Sequence, residues 1–234
     1  MARVTRVSTP AKTFLFGTGC QKGGTTWVHN HLTKSPEYAR GYRKEYHVFD
    51  SQLPSEMRIK RKALEQAQEA LAAALRGEKA NGRLIHRASM VVDPVLYYNF
   101  FTDLLNRQPQ YRAAADLTPD YALLSADTFR TVQAAFAKRG VRTVAAFLMR
   151  DPVDRVYSHM RMQIDLEPER FTYAPEVVLE RHHTEEVYSL RTRYQDTIAT
   201  LDEAFAPEDR FIGFYEELFV GDHVRAITDM LGME

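Results

Sequence analysis

Thr13-Phe-Leu-Phe-Gly-Thr18, Gly19-Cys-Gln-Lys-Gly-Gly24 and Thr25-Thr-Trp-Val-His-Asn-His-Leu32 follow one another without a gap. The first block is a short apolar run and predicts a buried strand; the second is a glycine-rich turn. The third predicts a helix with Trp27, Val28 and His31 on or beside its packed side, stopped by Ser35-Pro36. A strand that enters such a turn and leaves it as a helix opens an α/β fold, and it also makes an anion site. Glycines permit backbone angles and a close anion approach that a Cβ would obstruct. Free N–H groups at the helix start hold phosphate oxygens, Thr25 and Thr26 add hydroxyl donors, and Lys22 adds a point charge. Lys22 precedes Gly23-Gly24-Thr25-Thr26, whereas a Walker A loop ends Gly-Lys-Ser/Thr, so the usual ATPase or kinase motif is absent.

Outward from this unit, Val141–Met149 is the clearest later strand, its continuous apolar end fitting a sheet covered on both faces. Tyr111–Asp116 is a weak strand and Arg210–Tyr215 a short last one. Between them, residues 56–79 are rich in helix formers, and Leu64, Ala67, Leu71 and Leu75 give a helical spacing. Asn81-Gly82 is a turn, Pro94 breaks a helical or loop stretch, and an aromatic helix over 97–105 presents Tyr97, Tyr98, Phe100 and Phe101 to the core or to an acceptor. A helix runs to about 138, Pro152 opens another, and further helices cover roughly 185–205 and 222–231. Residues 38–50, with Tyr38, Tyr42, Tyr46 and Phe49 among charges, fit strand or loop. Alternating strands and helices predict one three-layer α/β domain over 1–234 with a mainly parallel sheet.

Composition removes several classes. One Cys in 234 residues excludes an internal disulfide framework and a multi-Cys metal site, and fits a reduced, cytoplasmic setting. With 31 basic and 31 acidic side chains there is no net positive field for nucleic acid. No apolar run approaches the ~20 residues of a membrane span. Arg3 and Arg6 precede only a short apolar run broken by glycine, which is not a signal peptide. The histidines have no compelling metal-ligand spacing, so no metal is expected. Cys20 lacks a base-and-orienter set and reads as a small packing residue.

Lys22-Gly23-Gly24-Thr25-Thr26 resembles the 5′-phosphosulfate loop of the P-loop-related sulfotransferases that use 3′-phosphoadenosine 5′-phosphosulfate (PAPS, leaving PAP). Arg150-Asp-Pro-Val-Asp-Arg-Val-Tyr-Ser158 resembles their 3′-phosphate motif, which implies that Arg150 and Ser158 bind that phosphate; an Arg fork and a hydroxyl suit it. Arg155 receives no chemical role. Arg43-Lys-Glu-Tyr-His-Val-Phe-Asp50 is similar to the Lys-Glu-x-His-x-Phe-Asp segment of glycan sulfotransferases, the heparan type above all. That likeness makes Glu45 the general base and sets Lys44 in the active site; His47, with an intrinsic pKa near neutrality, is the competing base. Asp116-Leu-Thr-Pro-Asp-Tyr121 is similar to the stretch near the family's substrate groove, with Leu117 where glycan-directed members commonly carry Lys. Phe211-Ile-Gly-Phe-Tyr-Glu-Glu-Leu218 resembles the late strand and the segment after it.

The resemblance implies a P-loop NTPase-like fold and metal-free sulfuryl transfer from PAPS. The expected acceptor is a hydroxyl, less readily an amine, of a small saccharide, glycolipid or other metabolite. Lys22, Gly23, Gly24, Thr25, Thr26, Arg150 and Ser158 hold the donor, and Lys22, Lys44, Glu45 and His47 face the transfer. A basic cluster at Arg58, Lys60, Arg61 and Lys62 is either a solvated helix face or part of an acceptor track. A nucleotide kinase and a non-catalytic PAP- or PAPS-binding protein are the alternatives. Relatives usually continue past the position of Glu234 into a nucleotide-covering loop, so the chain is expected to lack that cover.

Overall fold

The structure is a computed structural model and describes residues 12–53, 57–169, 173–220 and 223–234. The reading of residues 1–11, and the proposed first residues of the helices at 56 and 222, lie outside that set. The chain begins with strand β1 (Lys12–Gly17) and helix α1 (Thr25–Leu32), as the opening stretch predicts. Residues 39–49 form no strand; only Tyr38 bridges to Ala113. Helices α2 (Met57–Leu75), α3 (Gly82–Val92) and α4 (Pro94–Asn106) follow. Asp93 caps α4 by accepting from Val95 N at 2.9 Å, with Pro94 in the first turn. Then come β2 (Ala113–Asp116), α5 (Ala126–Ala137), β3 (Val141–Met149) and α6 (Pro152–Leu166). Asp151 caps α6 through Val153 N and Asp154 N at 2.9 and 3.0 Å. The chain closes with α7 (Pro175–His182), α8 (Glu186–Ser189), α9 (Tyr194–Ala204), β4 (Arg210–Phe214) and α10 (His223–Met230).

The four strands pair in parallel in the order β2-β1-β3-β4. Each strand of the central pair alternates its side chains between two apolar layers. Phe14, Phe16 and Phe147 point into the layer made by α4, α5 and α9, where Phe14 stacks on Phe136 at 4.4 Å and Phe16 on Tyr121 at 4.5 Å between centroids. Leu15, Val144 and Leu148 point the other way, against Val28 and Leu32 of α1 and Ile227 of α10. This is the three-layer α/β arrangement expected. Tyr97, Tyr98 and Phe101 are buried in the first layer, so the aromatic helix is core.

Two helices differ from the expected pattern. In α2 the buried positions are Ala63, Ala67 and Ala70, while Leu64, Leu71 and Leu75 are exposed. Small residues let α2 lie close on α3, and the leucines fall about a quarter turn further round the helix, where they are exposed. The continuous helix expected over 185–205 is instead α8, a 3-10 turn at Leu190–Thr192 and α9. The Tyr188 carbonyl, which a helix would offer to residue 192's N–H, accepts from Arg155 Nη2 at 2.8 Å and Thr192 Oγ1 at 2.7 Å. Helix α7 was not foreseen at all.

Candidate active site

The sheet order reverses at β1, and a crevice opens at the carboxyl ends of β1, β2 and β3, where ligands bind in open α/β sheets. Three loops leave those ends: 18–24, 117–123 and 150–151. Between them and the 44–47 segment lies a groove of about 640 Å3, lined by Lys22, Gly24, Thr25, Thr26, Lys44, Glu45, His47, Asp120, Arg150 and Ser158. Except for Gly23, buried just beneath, each residue expected from the sequence to hold the donor or face the transfer lines this groove.

The glycine loop is shaped by close approach. A Cβ on Gly23 would lie 2.7 Å from Leu148 O and 2.8 Å from Cys20 Sγ. Gly24 adopts φ +88°, and a Cβ there would meet the Tyr215 ring at 2.8 Å. The loop therefore lies flat on β3 and leads into α1, whose first N–H groups have no carbonyl one turn earlier to bond. Cys20 is buried, and burial pushes its thiol pKa up, in keeping with a packing role.

Cations converge on the loop. Among the described residues Lys22 Nζ forms no ion pair and has Met162 Sδ at 3.9 Å; burial followed by Arg150 and Lys44 lowers its pKa, against the opposing pull of Asp165. Arg150 lies 4.7 Å over the Tyr215 ring and donates from Nη1 to Lys22 O at 3.2 Å; its Nε is buried without a partner. Arg161 stands one turn beyond Ser158 on α6, in a cleft continuous with Lys22 and Arg150. Arg155, by contrast, is fully buried and binds Tyr188 O and Thr192 Oγ1, holding α6 to the 188–192 turn.

Lys44 joins this cation set to a line of carboxylates. Its ammonium is 2.6 Å from Glu45 Oε1, 2.8 Å from Thr26 Oγ1 and 3.2 Å from Thr25 Oγ1. Glu45 Oε2 is 3.4 Å from His47 Nε2, and His47 Nδ1 is 2.6 Å from Asp50 Oδ2. Asp120 Oδ2 lies 3.9 Å from the same Nδ1, while its Oδ1 takes Arg191 Nε at 2.6 Å. Burial alone would raise the Glu45 pKa, but His47 and Lys44 hold it down at about 2. Burial alone would lower that of His47, but the bonds to Asp50 and Glu45 push it up to about 10. The array runs Lys44, Glu45, His47, Asp50 and Asp120, then Arg191, with Glu45 held ionised and His47 held protonated by their neighbours.

Asp116, at the end of β2, holds the segment in place. It accepts from Thr118 Oγ1 at 2.6 Å, Tyr121 OH at 2.8 Å, Tyr97 OH at 3.0 Å and Tyr46 N at 3.2 Å. Burial raises its pKa to about 6 in spite of those bonds. Leu117 is buried against Gly17 and lends its N–H to Lys44 O at 2.9 Å, so it is a packing residue and not part of the groove. Arg58, Lys60, Arg61 and Lys62 are absent from the groove wall as well.

Sequence reasoning left Asp120, Arg191 and an aromatic end wall without roles. Trp27, Tyr215 and Phe219 line the groove next to the anion loop, Phe219 meeting the other two edge-on at 5.3 and 5.2 Å. The signal was present for Trp27, the sole Trp, directly after Thr26. Arg191 gave none, because only the fold brings it 71 residues back to Asp120.

The sulfotransferase family model matches residues 15–234, and the chain belongs to that family. A search of curated protein sequences gives no match. Among solved structures the chain is similar to a sulfotransferase from Alicyclobacillus acidocaldarius, with TM-score 0.57 and 18% identity over 96% of this chain and 82% of that one. The fold is thus the P-loop NTPase-like fold of sulfotransferases. Closeness to the glycan or heparan type is not part of that match. Among the described residues no helix is long and apolar enough to cross a membrane.

Proposed function

We propose that the protein transfers a sulfuryl group from PAPS to a hydroxyl, less readily an amine, of a small saccharide, glycolipid or similar metabolite. One observation carries this reading: the Lys44 ammonium spans Glu45 Oε1 and Thr26 Oγ1, so a single cation joins a carboxylate base to the anion loop. PAPS, when bound, supplies a sulfuryl group activated by a phosphate leaving group. The residues present fit such a donor. Among the described residues Arg150 keeps a buried Nε without a partner, the Ser158 hydroxyl forms no hydrogen bond, and Lys22 forms no ion pair. Arg150 and Ser158 are assigned the 3′-phosphate, and Trp27, Tyr215 and Phe219 the base, an apolar face that stacking favours.

Lys22, the loop N–H groups and Thr25 and Thr26 neutralise charge where the bridging bond weakens, and being fixed in advance they cost no reorganisation. Glu45 takes the acceptor proton. His47 already holds a proton at neutral pH, so it is assigned to orienting Glu45 and not to base catalysis. His47, Asp50 and Asp120 bring three potential ligand atoms within 4.8 Å. That cluster is assigned to ion pairing and not to a metal, since Asp50 fixes the imidazole proton and Arg191 occupies Asp120. Leu117 is buried and the basic turn of α2 lies outside the groove, so among the described residues neither supplies a cationic track for a highly sulfated polymer as acceptor. A cytoplasmic setting belongs to the same reading and agrees with a sequence that holds one Cys and so forms no internal disulfide.

The deciding experiment is transfer of labelled sulfate from PAPS across a panel of short saccharides, glycolipids, phenols and amines. Label is expected in a small hydroxyl acceptor and not in long heparan-like chains. Preferential labelling of the long chains would overturn the acceptor assignment, and Mg-dependent ATP turnover without PAPS turnover would overturn the reaction.

A further inference from the structure

Behind α6, away from the donor groove, a second cavity of about 740 Å3 opens between α6, α7 and the start of α9. That volume lies within the ~300–1,000 Å3 of small-molecule pockets. Helix α6 is the wall between the two. Ser158 faces the groove, while Pro152, Val153 and Val156 from its first turns face the cavity. Across from them α7 contributes Leu179, so the floor is apolar, and Val153 remains 62% exposed.

The rim has a definite charge. Glu176 and Glu180 stand one turn apart on α7, where like charges repel. Glu176 accepts from Tyr157 OH at 2.9 Å, and among the described residues neither carboxylate forms an ion pair. The basic side chains on the same rim are committed elsewhere. Arg193 Nε is paired with Asp196 Oδ2 at 2.7 Å, and His183 Nδ1 faces the carbonyls of Leu179 and Glu180 at 3.1 Å. Arg161 reaches Glu176 as a more distant charge. An apolar floor beneath two carboxylates without a direct ion-pair partner among the described residues disfavours an anionic amphiphile by repulsion. It also disfavours a neutral one, which would cover the carboxylates without pairing them. A cation carrying an apolar body satisfies both parts.

We propose that this cavity is a second ligand site, and that it takes an amphipathic amine, an alkyl or aryl body bearing one ammonium group. The site is independent of the sulfuryl-transfer reading, because none of its residues is assigned to the donor or the base.

Calorimetric titration of the full chain with decylamine, decanol and decanoate, each below its aggregation concentration at pH 7, tests this. The ammonium is expected to saturate one site at least tenfold more tightly than the alcohol, and the carboxylate to bind weakest. Glu176→Gln with Glu180→Gln should bring amine and alcohol within about twofold, while thermal unfolding measured in parallel reports an intact fold. Val153→Asp, at an exposed position, should weaken the alcohol. Three results would overturn the site: no saturable binding, amine and carboxylate binding alike, or an amine preference that survives the double substitution. A concentration-dependent dimer dissolved by Val153→Asp would likewise assign the cavity to a second copy of the chain and not to an amine.

Discussion

Glu45 sits between two cations, and its chemistry follows from that position. Lys44 at 2.6 Å and His47 at 3.4 Å keep it ionised to about pH 2, so it is available but weakly basic until one of them is drawn off. Glu45→Gln should therefore leave PAP binding nearly intact and lower single-turnover transfer by about 10²-fold or more. Lys44→Ala removes one of the causes of the depression, and the Glu45 carboxyl, followed by carbon NMR, should titrate at higher pH than in the wild type. A Glu45→Gln enzyme of normal rate beside a dead His47→Ala enzyme would move the base to His47. The same array predicts a pH dependence of stability. His47 has a folded pKa raised from 6.5 to about 10, so its contribution is complete below 6.5 and is lost as pH rises through 10. Thermal unfolding of wild type and His47→Gln should differ most near pH 6 and converge toward pH 10.

The loop at 19–24 was readable in outline because glycine spacing and the following threonines state what a phosphate loop needs; its dependence on neighbours was not. Gly24 carries two constraints, a φ of +88° and the Tyr215 ring 2.8 Å from any Cβ, whereas Gly77 has φ +75° with nothing within 4 Å. Gly77→Ala should cost only the left-handed backbone term, about 1 kcal/mol, and Gly24→Ala more than that, with PAP binding lost alongside. Urea midpoints for the two variants check the order. Helix α2 shows the opposite limit. Of the helical spacing Leu64, Ala67, Leu71 and Leu75 only Ala67 is buried, with Ala63 and Ala70 beside it, because close approach of two helices selects small residues and hydrophobicity alone does not report it. Leu71→Gln should alter stability by no more than about 0.5 kcal/mol, and Ala67→Leu should destabilise by about 1–3 kcal/mol through overpacking. The break at 190–192 was hidden for a related reason. It depends on Arg155, buried 33 residues away, taking a carbonyl that the local sequence would spend on helix.

The chain carries no net charge, yet Lys22, Lys44 and Arg150 line one groove beside the carboxylates of Glu45 and Asp120, with Arg161 in the adjoining cleft, an arrangement that composition cannot show. The alternation of strands with helices, and the segments 22–26 and 150–158 that meet in the groove, were legible because each is a run of adjacent residues. The Asp120–Arg191 pair and the aromatic end wall were not, being assembled from separate segments. That assembly makes donor recognition a property of the groove as a whole, and it can be measured in two halves. If Lys22 serves the 5′ side and Arg150 the 3′-phosphate, PAP should bind more tightly than adenosine 5′-phosphate. Lys22→Ala should weaken both ligands by similar factors, while Arg150→Ala should weaken PAP and leave adenosine 5′-phosphate little changed. A native-state ligand at 100 times its Kd adds about 2.7 kcal/mol to folding stability, so PAP should also raise the melting temperature visibly. The loss of that shift in Arg150→Ala should parallel the calorimetric loss. Salt should weaken PAP more than adenosine 5′-phosphate, since the extra phosphate meets an added cation in a partly exposed groove. Equal affinity of the wild type for the two ligands would remove the 3′-phosphate role from Arg150 and Ser158, whatever the fate of Glu45.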